Sequence, residues 1–162
     1  MALYTPASNI VKGSMDMGDT SFETQLVYGI SSSLMIATRP PGYHSSPHVH
    51  DCEQLNILHS GELYIFTEEG AYLLNEGDAF RVKPNLVHWS WNRSDRPCVL
   101  IEVHSPGVQS DPRLAPFATS LLDSGESLAG DGPVNLFPPF SADEVARIEA
   151  LPVNLPSSGG DR

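Results

Sequence analysis

His48 and His50 stand one residue apart. On an extended strand the side chains at i and i+2 share a face, so both imidazoles point the same way. Two neutral imidazoles aimed at one point, each about 2.0–2.1 Å from an ion, make half of a transition-metal site. Glu53 and Gln54 follow at once, and His88 comes 34 residues after Gln54 inside another β-rich run. A lone histidine is more often structural than ligating, and His44 and His59 earn only that reading. His44 precedes the pair and could line the mouth of a site, while His59 lies in a turn. Cys52, two residues past His50, reads as part of a turn outside any ligand set.

The elements that must position these residues are short strands. Runs at Glu23–Tyr28, Ser32–Thr38, Gln54–Leu58, Glu62–Thr67, Ala71–Leu74, Ala79–Val82, Val87–Trp91 and Val99–His104 are β-rich. Between several of them lie His59-Ser60-Gly61, Glu68-Glu69-Gly70 and Asn75-Glu76-Gly77-Asp78, each with a glycine suited to a tight turn. Many short strands at regular spacing predict an all-β sandwich or barrel. We divide the chain into an N-terminal arm (residues 1–19), a barrel (20–105) and a C-terminal arm (106–162). The arm is rich in Pro, Gly, Ser and Asp, with Phe117–Leu122 as a short helical or packed turn. Ser141-Ala142-Asp143-Glu144 has the form of a capping box, so a short helix is expected over about 141–151, stopped by Pro152.

Two segments carry a family resemblance. Gly42-Tyr43-His44-Ser45-Ser46-Pro47-His48-Val49-His50-Asp51-Cys52-Glu53-Gln54, with Gly61 beyond it, resembles the first cupin motif. Gly77-Asp78 through Lys83-Pro84-Asn85 to His88 and Asn92 resembles the second. The resemblance covers roughly residues 35–104 and implies a cupin (jelly-roll-like) β-barrel holding one metal ion. Asn85 stands where glycine is usual, and asparagine tolerates the left-handed backbone such a turn asks for. The family pattern implies His48, His50 and His88 as ligands, and its spacing to Gly61 puts Gln54 at a position usually filled by Glu. Glu53 is the alternative; adjacent strand residues face opposite sides, so one excludes the other unless the strand bulges.

A shell of three histidines and a glutamine donates no negative charge, so a divalent ion on it keeps its full charge as a Lewis acid. The leading expectation is a metal-dependent isomerase, cyclase or lyase acting on a carbonyl- or hydroxyl-bearing small molecule. The ion would be one divalent transition metal, Zn, Fe, Mn or Ni, since the shell suits several. A cupin-type dioxygenase and a non-catalytic small-molecule binder are the alternatives. The chain also resembles uronate-linearising and polyketide-cyclase-like cupins with a single barrel. The former are expected to carry a basic residue just after the Ser105-Pro106 turn; Gly107-Val108 follow instead, with Arg113 the nearest candidate.

Strand alternation supplies further candidates. With His88 inward, Ser90 and Asn92 share its face, and with Gln54 inward so does Asn56. Tyr64 and Phe66 are expected to complete the pocket, along with Glu102 and His104; Glu102 is the first candidate for a general base. Arg39 and Arg81 read as solvated surface residues. Trp89 and Trp91 are expected to point outward, against an interface or the other sheet. Together with apolar Leu55 and Ile57 they suggest a homodimer formed through the barrel exterior, the chain from Asp111 onward crossing to the partner or lidding the mouth.

Nine basic against 20 acidic residues give a net charge of −11, which offers no footprint for nucleic acid or an anionic membrane surface. No apolar run approaches the roughly 20 residues of a membrane-spanning helix. Two cysteines are too few for a disulfide scaffold, and with no secretory signal in Met1–Ser14 a cytoplasmic protein is expected.

Overall fold

Alternation of side chains decides which face of each strand is buried. In the computed structural model, which describes residues 4–16, 20–29, 31–50, 52–105, 118–120, 127–129 and 140–154, β-branched and aromatic runs pair into two six-stranded antiparallel sheets. The first runs, in spatial order, β1 (Val11–Asp16), β2 (Ser21–Tyr28), β3 (Ser33–Arg39), β10 (Cys98–Ser105), β5 (Glu53–Ser60) and β8 (Ala79–Val82). The second runs β12 (Ser127–Ala129), β11 (Ala118–Ser120), β4 (His48–Val49), β9 (His88–Trp91), β6 (Glu62–Thr67) and β7 (Gly70–Asn75). This is an all-β jelly-roll-like barrel, with strands where the sequence predicts them and a few more besides.

The inward faces change character along the strands. β10 buries Cys98 and Leu100 and then Glu102 and His104, while antiparallel β5 buries Leu58 and then Asn56 and Gln54. Their apolar ends join Met35, Ala37, Tyr43, Leu63 and Ile65 in one core cluster. Their polar ends lie side by side, because the register sets His104 against Gln54 and Glu102 against Asn56. A bulge at His59, between the Val99–Ser60 and Leu100–Leu58 pairs, adjusts that register. At Gly61 (φ 84°) the turn into β6 presses on its neighbour, since a Cβ there would stand 2.9 Å from Cys98 Cβ. Asn85 adopts φ 62° in the turn before β9, the left-handed conformation expected of it.

Among the described residues, the arms contribute β1, β11, β12 and a short helix. β1, within residues 1–19, adds an edge strand to the first sheet, and Met15 packs against the core. β11 falls inside the expected helical or packed turn of Phe117–Leu122 and is instead a strand, its backbone pairing Ser120 with His48 and Thr119 with Val49. Arg113 lies outside the described residues, and of the chain from Asp111, expected to cross to a partner or cover the mouth, only β11, β12 and residues 140–154 are described.

α1 (Ala142–Glu149) follows the capping box at Ser141 and Glu144, where the Ser141 hydroxyl accepts from the Glu144 N–H. It buries Val145 and Ile148 against Val49, Phe66, Ala71, Val87 and Trp89. That contact corrects the expectation for the tryptophans. Trp89 does face away from the site, but the chain's own helix covers it, leaving it fully buried with its Nε1–H donating to Glu149 Oε1 at 2.8 Å. Trp91 stacks on His44 at 4.6 Å between ring centroids, and His44 Nε2 lies 2.7 Å from the same Glu149 oxygen.

Candidate metal centre and cavity

β4 and β9 meet with His48 directly opposite His88, and their ring centroids are 4.2 Å apart. His50, just past β4, stands 4.8 Å from His88 and 6.2 Å from His48. Each imidazole is fixed in the same manner. Nδ1 lies against a backbone carbonyl two residues away: Ser46 O for His48 (2.9 Å), Cys52 O for His50 (2.9 Å) and Leu86 O for His88 (3.0 Å). A carbonyl only accepts, so Nδ1 carries the proton and Nε2 keeps its lone pair, which is how ligating histidines are usually held.

Gln54 comes from β5 in the facing sheet. It is buried, and its Oε1 is 3.0 Å from His50 Nε2. With the His50 proton on Nδ1, that contact brings two lone pairs together. Two donors about 2.1 Å from one ion, at right angles to it, stand about 3.0 Å apart, so a shared cation suits this edge of the site. Glu53 points the other way and pairs with Arg81 on the exposed face at 2.5 Å. Among the described residues, no group of three or more His, Cys, Asp and Glu side chains stands at metal-binding separations as it is. The donors fit a divalent ion in type and tautomer, and the imidazoles would have to draw together around it.

Behind Gln54 lies a buried polar chain that joins the inward Asn56, Ser90 and Glu102 to a residue expected elsewhere, Arg39. Arg39, expected at the surface, is buried: one terminal nitrogen donates to Ser90 Oγ (2.5 Å) and the other to Glu102 Oε1 (2.7 Å). Its guanidinium lies 5.4 and 5.2 Å from the rings of Phe22 and Tyr43. The available signal is strand parity, since Arg39 shares a face with the buried Met35 and Ala37. Glu102 Oε2 accepts from Gln54 Nε2 at 3.0 Å and is 3.7 Å from His104 Nε2. Asn56 Oδ1 accepts the other Gln54 proton at 2.7 Å. Among the described residues, His104 Nδ1 and Arg39 Nε are buried with no hydrogen-bond partner.

Burial dominates the electrostatics. Desolvation lowers the pKa of His48 and of His104 to about 3 and holds His88 well below its usual range, with neighbouring imidazoles adding to the effect. Burial raises the Glu102 carboxyl, and the Arg39 charge opposes that shift. For Arg39 burial works against the charge, but Glu102, Tyr43 and Cys98 outweigh it and the pKa is raised.

Between the sheets lies a cavity of about 120 Å³. The candidate ligands, Arg39, Glu102 and His104 line its polar side; Met15, Leu26, Met35, Ile65 and Leu100 line the apolar one. Tyr64 and Phe66 are not in it. β6 pairs Ile65 with Ser90 and Thr67 with His88, so the odd-numbered residues face inward, and Tyr64 lies under the Arg93 guanidinium at 4.7 Å on the outside. Tyr64, expected in the pocket as a candidate catalytic residue, is thus on the outer face of β6 and does not reach it. Asn92, on the expected face, is a structural residue whose amide donates to the carbonyls of Arg39, Pro40 and Arg96.

Barrel, paired sheets and inward histidines are arranged as in the cupin fold. Residues 35–104 match the family model described as the cupin domain, and the barrel has the cupin fold. Among solved structures it is similar to AerE from Microcystis aeruginosa, with 22% identity and a TM-score of 0.54 over 59% of this chain and 45% of that one. The match therefore spans under half of AerE. An RmlC-like cupin from Shewanella frigidimarina NCIMB 400 is 19% identical, with a TM-score of 0.55 over 65% and 92% of the two chains. A protein with a double-stranded β-helix domain from Klebsiella pneumoniae subsp. pneumoniae MGH 78578 is 20% identical, with a TM-score of 0.52 over 66% and 92%. Identities this low establish the fold alone. Comparison with curated proteins gives no match.

Proposed function

We propose that this cupin is a metal-dependent enzyme, an isomerase, cyclase or lyase acting on a small molecule with one oxygenated end and one apolar end. The observation that carries the reading is the set of four neutral donors, three imidazoles held with Nδ1 on backbone carbonyls and the Gln54 oxygen 3.0 Å from His50 Nε2. His48, His50, Gln54 and His88 would hold one divalent transition ion, Zn, Fe, Mn or Ni, which when bound polarises a carbonyl or hydroxyl oxygen as a Lewis acid.

The cavity supports the substrate class. At about 120 Å³ it is far smaller than the roughly 300–1,000 Å³ of pockets for drug-sized ligands. Arg39 is the cationic side chain lining it, and it is already committed to Glu102 and Ser90. A carboxylate held by a separate base, as a uronate would need, has no such partner among the described lining residues. Met15, Leu26, Met35 and Leu100 favour an apolar tail, and burying sugar hydroxyls against them would be unfavourable.

Proton transfer falls to the His104–Glu102 pair. Glu102 as a free base is an expectation the geometry modifies, because both of its oxygens are engaged. His104 Nδ1 has no hydrogen-bond partner among the described residues, and the carboxylate 3.7 Å from Nε2 would stabilise the ring once protonated. General bases contribute roughly 10²–10⁴-fold, so His104→Ala should lower turnover by that order with metal content intact.

The test is an anaerobic screen of metal-loaded protein against small keto and hydroxy compounds, keto-sugars, uronates and phenolic polyketide-like compounds. Turnover of the amphiphilic compounds without O₂ is expected. Turnover only in air would replace this reading with a dioxygenase, and tight binding without turnover would make the protein a small-molecule binder.

A further inference from the structure

We propose that Arg39, acting through Glu102, determines which end of the Gln54 amide is presented to the metal position. The inference rests on the metal reading above and concerns a residue that acts through Glu102 and Gln54 and is not itself a ligand.

An amide side chain has an oxygen that can ligate a cation and an NH₂ that cannot, so Gln54 serves as a ligand in one orientation only. Its neighbours decide between the two. Asn56 Nδ2 donates to the Phe80 carbonyl at 3.1 Å, which turns Asn56 Oδ1 toward Gln54 as an acceptor. A carboxylate likewise only accepts, and Glu102 Oε2 is 3.0 Å from Gln54 Nε2. Both Gln54 protons are thus used, and Oε1 is left on the side of His50 Nε2.

Arg39 holds the carboxylate in that pose. It binds Glu102 Oε1 at 2.7 Å, leaving Oε2 for Gln54, while its other terminal nitrogen is tied to Ser90 Oγ on β9, two residues from His88. Ser90, Arg39, Glu102 and Gln54 therefore form one chain that joins the two sheets behind the site. Arg39 also carries a buried Nε–H with no partner among the described residues. A buried ion pair is often replaceable by apolar residues without loss of stability, so stability is a weak reason for this arrangement. Holding an amide against rotation is a stronger one.

The test is a double-mutant cycle read with Co(II) as the only added ligand, following its affinity and visible absorption band. Loss of an outer hydrogen-bond partner typically lowers metal affinity roughly 10–100-fold. Arg39→Met should do so, shift the band in the direction of Gln54→Ala, and add nothing further in the Gln54→Ala background. Arg39→Lys, which keeps the charge but not the fork, should fall between. Circular dichroism checks folding; if Arg39→Met does not fold, the near-isosteric Glu102→Gln enters the same cycle with the same expectation. Wild-type affinity and spectrum in a folded variant, or the same loss with and without Gln54, would overturn the positioning role alone. Wild-type protein that takes up no Co(II) would overturn the metal reading and this inference with it.

Discussion

His88 is the imidazole closest to both of its partners, 4.2 Å from His48 and 4.8 Å from His50. Removing it leaves two rings 6.2 Å apart and an amide oxygen. His88→Ala should therefore lose metal by more than the roughly 10–100-fold that follows loss of an outer partner. Elemental analysis after purification checks this, and full occupancy in the variant would count against the site. The same residues set a pH dependence in metal-free protein. Unfolded histidines protonate near pH 6.5, whereas His48 and His104 protonate only near pH 3 in the fold and His88 is also well depressed. Between those values the unfolded chain binds more protons, so stability falls as pH is lowered. The Glu102 carboxyl has the opposite sign: its folded pKa is raised above 4.5, so its contribution is lost as pH rises past that value. Three imidazoles outweigh one carboxyl. Urea midpoints at pH 7.5 and 5.5 should show a loss at the lower pH of about 1 kcal/mol per buried histidine. An unchanged midpoint would mean that these rings are not held neutral.

At the scale of elements, the β5–β6 turn keeps β5 in register, and β5 carries Gln54. Gly61 sits there at φ 84° with no room for a side chain, since a Cβ would meet Cys98 Cβ at 2.9 Å and Pro97 O at 3.2 Å. Gly61→Ala should destabilise the protein by about 1–3 kcal/mol, combining left-handed backbone strain with the clash. Chemical denaturation checks it, and a shift within error would show that the turn relaxes freely. The sequence marks this position as a turn glycine but is silent on Cys98, which approaches from 37 residues away. Helix α1 has the same character. Its capping box is legible in four residues, whereas its docking site depends on Trp89 and His44 converging on Glu149.

For the whole molecule, the outer face of the first sheet is the surface that a second copy would cover. Register aligns Leu34, Val103 and Leu55 in one row across β3, β10 and β5, and Ile36, Ile101 and Ile57 in the next. Leu55 and Ile57 are 49% and 52% exposed. Two such rows, meeting a copy of themselves about a two-fold axis, would form a self-complementary apolar contact. A homodimer is expected by sedimentation equilibrium, and Ile57→Glu should convert it to monomer while leaving Co(II) affinity unchanged. A monomeric wild-type protein would refute the contact. Among the described residues no helix is long and apolar enough to cross a membrane.

The amino-acid sequence by itself determined the strand pattern, the inward pair His48 and His50 and the capping box of α1. These follow from period-two alternation and short-range hydrogen bonding, which act within a few residues. It also favoured Gln54 over Glu53, and the two do lie on opposite faces, Gln54 buried and Glu53 paired with Arg81. Tertiary structure alone decided which residues meet between strands distant in the chain. Tyr64 fell on the wrong side because the phase of β6 is set by its pairing with β9, not by its own composition. Arg39 looked like a solvated cation because its partner, Glu102, is 63 residues away. A charge is stable in a barrel interior only against an opposite charge, and that pairing exists only once β3 and β10 lie side by side.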